Sequence, residues 1–146
     1  MGKTILHYTL GFNSNRGGGL TKYSDDLMEE QAKTHNVIMF FPGEYNVFSK
    51  DVRIKKEKTQ KGIVNYSVEN PLSIPFLAGL KDENYITRET NKSIWIEFFS
   101  RIKPDIFHIH TFIGLNRECI YTAKELGIPI VYTTHDYFGL CPKQTF

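Results

Sequence analysis

The chain has 146 residues, 40% of them apolar and 23% charged, with a net charge of +2. That balance belongs to one folded domain or part of one, and it excludes a disordered segment and a protein whose main partner is nucleic acid. No apolar run approaches the roughly 18 residues of a membrane span, and Met1–Tyr8 lacks the apolar region of a signal peptide. The two cysteines, Cys119 and Cys141, form no C-x-x-C, which suits a reducing compartment and builds no metal cage.

Taken in chain order, Thr4 to Leu10 begins apolar and β-branched and predicts a first, central strand. Gly11 to Gly19 is a loop containing the triple glycine Gly17-Gly18-Gly19. Leu20, Tyr23, Leu27, Met28 and Ala32 then recur at helical spacing, predicting an amphipathic helix that ends near His35-Asn36. Val37 to Phe41 is the next strand, closed by Pro42-Gly43. The alternating runs Val52–Lys55 and Ile63–Val68, with Thr59–Gly62 between them, predict a hairpin or a pair of edge strands.

Lys50, Arg53, Lys55, Lys56, Lys58 and Lys61 make that segment the one basic patch. It reads as a lysine-guarded sheet edge that resists edge-to-edge pairing, or as a contact for an anionic membrane surface or a lipid-linked phosphate acceptor. Pro71 to Asn84 is a connection punctuated by proline and glycine. Ile94, Trp95, Phe98, Phe99 and Ile102 form a stripe on a helix over Thr90 to Lys103, expected to pack on the sheet. Pro104–His110 and Ile128–Asp136 are two strands joined by a helix over Thr122–Gly127, a βαβ unit with a parallel pair. The fold class is therefore α/β, a Rossmann-like, mostly parallel sheet flanked by helices. Few residues follow the last strand, so the natural protein is expected to be longer and the chain to be an amino-terminal fragment.

In open parallel sheets the ligand crevice lies outside the carboxyl ends of the strands. Two sets of residues fall there. Glycines at a helix start let a ligand approach the backbone, and the first-turn N–H groups attract an anion. The run is not a dinucleotide fingerprint, because Lys22 stands at the third glycine, and Gly-Lys-Ser/Thr is absent. His108 and His110 share one strand face; His108 is expected to be buried on a neighbouring carbonyl, and His110, last in its strand, to face the crevice. His135 could donate a hydrogen bond to a ligand hydroxyl or leaving oxygen, and Asp136 could orient it. His7 and His35 read as structural. The rival reading is a metal-dependent hydrolase using His108, His110, His135 and Asp136, which have the ligand types of a zinc or di-metal site. A third is a non-catalytic module that binds a sugar nucleotide or a partner.

Together, Arg16-Gly17-Gly18-Gly19, Pro104 to His110 and Thr133-Thr134-His135-Asp136 resemble the amino-terminal domain of GT-B glycosyltransferases of retaining family 4. Tyr137 to Pro142 looks like a tail of bacterial members that build surface polysaccharides. The resemblance implies half of a GT-B fold and a metal- and cofactor-independent transfer of a sugar, with retention, from a nucleotide-diphosphate sugar to a glycan or lipid-linked acceptor hydroxyl. It implies that Gly17, Gly18 and Gly19 approach the donor diphosphate, that His135 contacts the donor sugar, and that Asp136 and His110 support the cleft floor. It further implies a cytoplasmic enzyme, peripheral at the inner membrane face, whose nucleotide sits mainly on a carboxyl-terminal domain absent from this sequence. Alone, this half is expected to bind a nucleotide sugar weakly and to catalyse little or nothing.

Overall fold

The computed structural model describes residues 2–12, 14, 17–72 and 88–135. Among these residues, six strands and three helices follow in the order β1 (Thr4–Tyr8), α1 (Gly19–Gln31), β2 (Asn36–Pro42), β3 (Arg53–Lys56), β4 (Val64–Glu69), α2 (Lys92–Ile102), β5 (Ile106–Ile109), α3 (Arg117–Glu125) and β6 (Ile130–Tyr132). They form one sheet in the order β3-β4-β2-β1-β5-β6. Every pairing is parallel except that of β3 with β4. The α/β, mostly parallel architecture expected from the alternation of strand and helix signals is therefore present, with β1 inside the sheet.

The strands alternate cleanly between two faces. Leu6, Tyr8, Ile38, Phe40, Phe107 and Ile109 point to the side covered by α2 and α3, where they meet Trp95, Phe98, Phe99, Cys119 and Ala123. The intervening residues Val37 and Met39 pack on the other side with Met28 of α1. The first face is the main core and is rich in aromatic contacts: Phe40 sits 5.4 Å from Phe98 and 5.6 Å from Phe107 between ring centroids. Cys119 is buried there as a free thiol, and burial pushes its pKa up, so it behaves as a small apolar residue. Cys141 lies outside the described residues.

Local chemistry explains the element ends. Asn91 caps α2 by accepting from the Ser93 amide at 3.0 Å, and Lys103 closes it in the left-handed region with Pro104 next. The end of α3 is a Schellman turn: Gly127, at φ 70°, donates to the Lys124 carbonyl and Ile128 donates to that of Ala123. The expected hairpin is β3–β4. Within its connection Gln60 and Ile63 exchange backbone bonds across Lys61 and Gly62, both at positive φ, the signature of a type I′ turn. β3 is the sheet edge, as read from its lysines.

Several boundaries differ from the sequence reading, and β1 ends at Tyr8 rather than Leu10. α1 stops at Gln31, because Ala32–His35 tightens into turns whose amides bond back to Met28, Glu30 and Gln31, freeing Asn36 to pair with the Lys3 carbonyl. α3 starts at Arg117 rather than Thr122; its inward residues Cys119, Thr122 and Ala123 are too small and polar to give a strong apolar period. β5 covers only Ile106–Ile109 of the expected Pro104–His110. β6 is three residues long, so His135 stands beyond the strand rather than closing it. The connection expected over Pro71–Asn84 lies mostly outside the described residues.

Replacing Phe107, which is fully buried among Phe40 and Phe99, with alanine should cost about 3–5 kcal/mol in urea unfolding. Phe48→Ala, at a position 96% exposed, should change stability by no more than about 0.5 kcal/mol.

Candidate functional site

The chain leaves β1 toward β2 on one side and later returns to place β5 on the other. The loops after β1 and β5 therefore part at the carboxyl ends of these strands, the switch point where doubly wound sheets hold ligands. The first loop leads into α1. Gly18 is its N-cap at φ 155°, a conformation that disfavours a side chain, and it contributes no capping group of its own. The first-turn amides of Gly19 and Leu20 therefore have no partner within the helix. Among the described residues, a Cβ at Gly17 or Gly19 would meet nothing within 4 Å. The second loop is packed tight: Thr111, Ile113 and Leu115 are buried, and Gly114, at φ 75°, lies where a side chain would press on the Tyr8 hydroxyl and Pro42.

Four histidines meet beside this switch point. His7 and His108 are register partners in adjacent parallel strands, so their rings emerge side by side, 5.1 Å apart, on the face covered by α1. His110, two residues on, stacks on His108 at 4.1 Å. The rings are joined in series. His7 Nε2 bonds Gln31 Oε1 at 2.8 Å, and His7 Nδ1 bonds His110 Nε2 at 3.0 Å. His110 Nδ1 meets His135 Nε2 at 3.3 Å. His108 Nε2 bonds the Thr133 hydroxyl at 2.8 Å. From α1, the Tyr23 ring packs against His135 at 4.8 Å and edge-on to His110 at 6.1 Å. Tyr23 follows the glycine turn by one helical turn, so it ties that turn to the histidine rim.

The structure thus brings Gly17, Gly18 and Gly19, His110 and His135 to one end of the sheet. Asp136 lies outside the described residues, as does Arg16. Two expectations are corrected. His110 does not face the crevice: it is fully buried among the rings of His7, His108, His135 and Tyr23. His108 is buried as expected, but its partner is a threonine hydroxyl rather than a carbonyl. His7, read as structural, belongs to the cluster through its register with His108. Gln31 and Tyr23 carried no signal beyond their places on an amphipathic helix. Ring nitrogens of His7, His108 and His110 all lie within 4.8 Å of one another, the donor type of a tri-imidazole metal site. Both nitrogens of His7 and His110 are engaged in hydrogen bonds, which an ion would have to displace.

Burial sets the electrostatics. Desolvation, and then the neighbouring His108, lower the pKa of His7 from 6.5 to about 4 against the raising effect of Gln31. Desolvation and the three other imidazoles take His110 down to about 2. His108 is lowered by burial and by His135. His7, His108 and His110 are therefore held neutral at physiological pH. Below pH 6.5 the unfolded chain binds protons that the folded chain refuses, until about pH 4 for His7. Folding stability should fall with pH across that window, by up to roughly 1.4 kcal/mol per pH unit for each such histidine. Urea midpoints should begin to drop near pH 6.5, above the range of ordinary carboxylates; a flat profile down to pH 5 would contradict the buried neutral cluster.

No curated protein matches the chain significantly. The family comparison does: residues 17–144 match Glycosyltransferase Family 4, a span that runs from the glycine turn past His135 and takes in every element except β1. With the parallel sheet, the glycine turn at the start of α1 and the histidine rim at the switch point, this match shows that the chain belongs to glycosyltransferase family 4.

Proposed function

We propose that this chain forms the acceptor-side wall of a cleft that transfers a sugar from a nucleotide-diphosphate donor to an acceptor hydroxyl, with retention at the anomeric carbon. The reading extends to a bacterial enzyme of cell-surface polysaccharide synthesis, and it rests on the family membership and the bacterial-type tail noted in the sequence. The observation that carries it is the meeting of the α1 turn with His135 through Tyr23. A diphosphate seated at Gly17–Gly19 would receive backbone N–H groups and the positive end of the helix dipole. His135, held against His110, would then lie beside the sugar and position its reacting carbon. Fixed N–H donors at the leaving phosphate stabilise the charge that develops as the glycosidic bond breaks. In this scheme His135 contacts the donor, and His110 supports it from beneath rather than lining the cleft. Asp136, next in sequence, is assigned a supporting role on the family resemblance alone.

Uridine-diphosphate glucose titrated into labelled protein should shift the amide resonances of Gly17–Gly19 and the ring signals of His135. His135→Ala should weaken that binding about tenfold, a loss of about 1.4 kcal/mol, with an otherwise unchanged amide spectrum. Shifts confined to another part of the sheet would refute the assignment of the site.

The acceptor is proposed to be a glycan or a lipid-linked molecule. Its approach along an anionic membrane surface is supported by the basic edge, where Lys50, Arg53, Lys56 and Lys58 are exposed while Lys55 and Lys61 pair with Glu69 and Glu29. Among the described residues no helix is long and apolar enough to cross a membrane. Changing Arg53, Lys56 and Lys58 together to glutamine should reduce co-sedimentation with phosphatidylglycerol vesicles and leave phosphatidylcholine vesicles unaffected. Equal retention of wild type and variant on the anionic vesicles would remove the membrane contact.

A further inference from the structure

We infer that the loop between β2 and β3 is a membrane wedge, with Val47 and Phe48 entering the acyl region of an anionic bilayer while Lys50 and Arg53 hold its headgroups. Val47 is 88% exposed and Phe48 96%. Exposed loop tips ordinarily carry small or polar residues. This tip carries two large apolar ones side by side, with the half-exposed Tyr45 two residues before them.

The loop is fastened so that this pair stands out. One buried residue just past β4, Asn70, clamps its base through four hydrogen bonds. The Asn70 backbone N–H donates to the Glu44 carbonyl at 2.9 Å. Its side-chain Nδ2 donates to the Ser49 and Asp51 carbonyls, both at 2.8 Å. Its Oδ1 accepts from the Asn46 N–H at 2.7 Å. Asn46 Oδ1 in turn accepts from the Phe48 N–H at 2.9 Å, an Asx turn that shapes the tip. Glu44, Asn46, Ser49 and Asp51 are thus tied down, and Val47 and Phe48 are left outside the clamp.

Two side chains make too small a patch for a protein partner, whose stable interfaces bury roughly 1,200–2,000 Å². They suit a bilayer, where apolar burial adds to the attraction between cations and anionic lipid. The charge beside the tip has the matching sign. Lys50 and Arg53 follow it closely, and Lys56 and Lys58 continue along the exposed β3 edge. The acids of the loop, Glu44 and Asp51, belong to its clamped base. Because β2 runs parallel to β1, this loop leaves the same rim of the sheet as the glycine turn. An inserted tip would bring the bilayer against that rim, where a lipid-linked acceptor would present its hydroxyl without leaving the membrane. Acceptor delivery rests on the function proposed above; insertion itself does not.

Phe48→Trp places an indole at the tip, and the one native tryptophan, Trp95, is fully buried and gives a constant background. With phosphatidylglycerol vesicles the added emission should shift to the blue and be quenched by lipids brominated on their acyl chains. Changing Val47 and Phe48 together to serine should lower vesicle partitioning roughly tenfold, through the lost burial of two apolar side chains. That loss should persist at an ionic strength that screens the basic edge. An indole that keeps its water-like emission while the protein sediments with vesicles would overturn the wedge and leave the charge contact of the basic edge standing. Unchanged partitioning of the double-serine variant would overturn it as well. Wild-type protein that stays off anionic vesicles would remove both the wedge and the charge contact. No nucleotide sugar is present, so these outcomes are independent of the titration that tests the donor site.

Discussion

The parallel register of β1 with β5 is the constraint on which the site depends. It sets His7 directly beside His108, and the two-residue strand period then brings His110 onto the same face. Three imidazoles are thereby taken out of water together. Each ring nitrogen removed from water without a partner costs on the order of 1–3 kcal/mol, so the arrangement stands only if the neighbouring elements supply partners. They do so from both sides, Gln31 from α1 and Thr133 from just beyond β6. These bonds fix where α1 lies over the sheet, and hence where its glycine turn falls. The histidines are thus a strut between the sheet and the helix as well as part of the site.

The opposite face has different chemistry. Tyr8, Phe40, Trp95, Phe98, Phe99 and Phe107 fill the space under α2 and α3 with apolar rings that need few polar partners. That core supplies most of the burial and makes β1, β2 and β5 a rigid platform. The Tyr8 hydroxyl is an instructive exception. It reaches the Ile113 carbonyl at 2.7 Å and pins the loop after β5 to the end of the central strand.

Much of this was legible in the sequence, and the remainder failed for identifiable reasons. The aromatic stripe from Ile94 to Ile102, the apolar strands and the glycine turn are local patterns with a period of 3.6 or 2, and they are found where those periods put them. The shared face of His108 and His110 follows from strand parity alone. The partnership of His7 with His108 does not, since it joins residues a hundred positions apart and depends on a register that no local pattern encodes. The burial of His110 was misjudged for the same reason: the end of a strand is exposed only if nothing packs over it, and here the rings of Tyr23 and His135 do. Tyr23 and Gln31 were submerged in the ordinary periodicity of α1, where only a partner across the sheet reveals their use. α3 was shortened in the reading because its inward side chains are small.

The charge at the rim limits what this wall can do by itself. His7, His108 and His110 are held neutral, so these three rings add no positive charge toward a diphosphate. Lys22, the cation in the first turn of α1, holds its ammonium within 2.7 Å of both Asp26 carboxylate oxygens. Among the described residues, what remains at the glycine turn is the helix dipole, worth about 0.3–1 kcal/mol to a nearby anion, together with backbone N–H groups. Those terms orient a phosphate but fall well short of neutralising it.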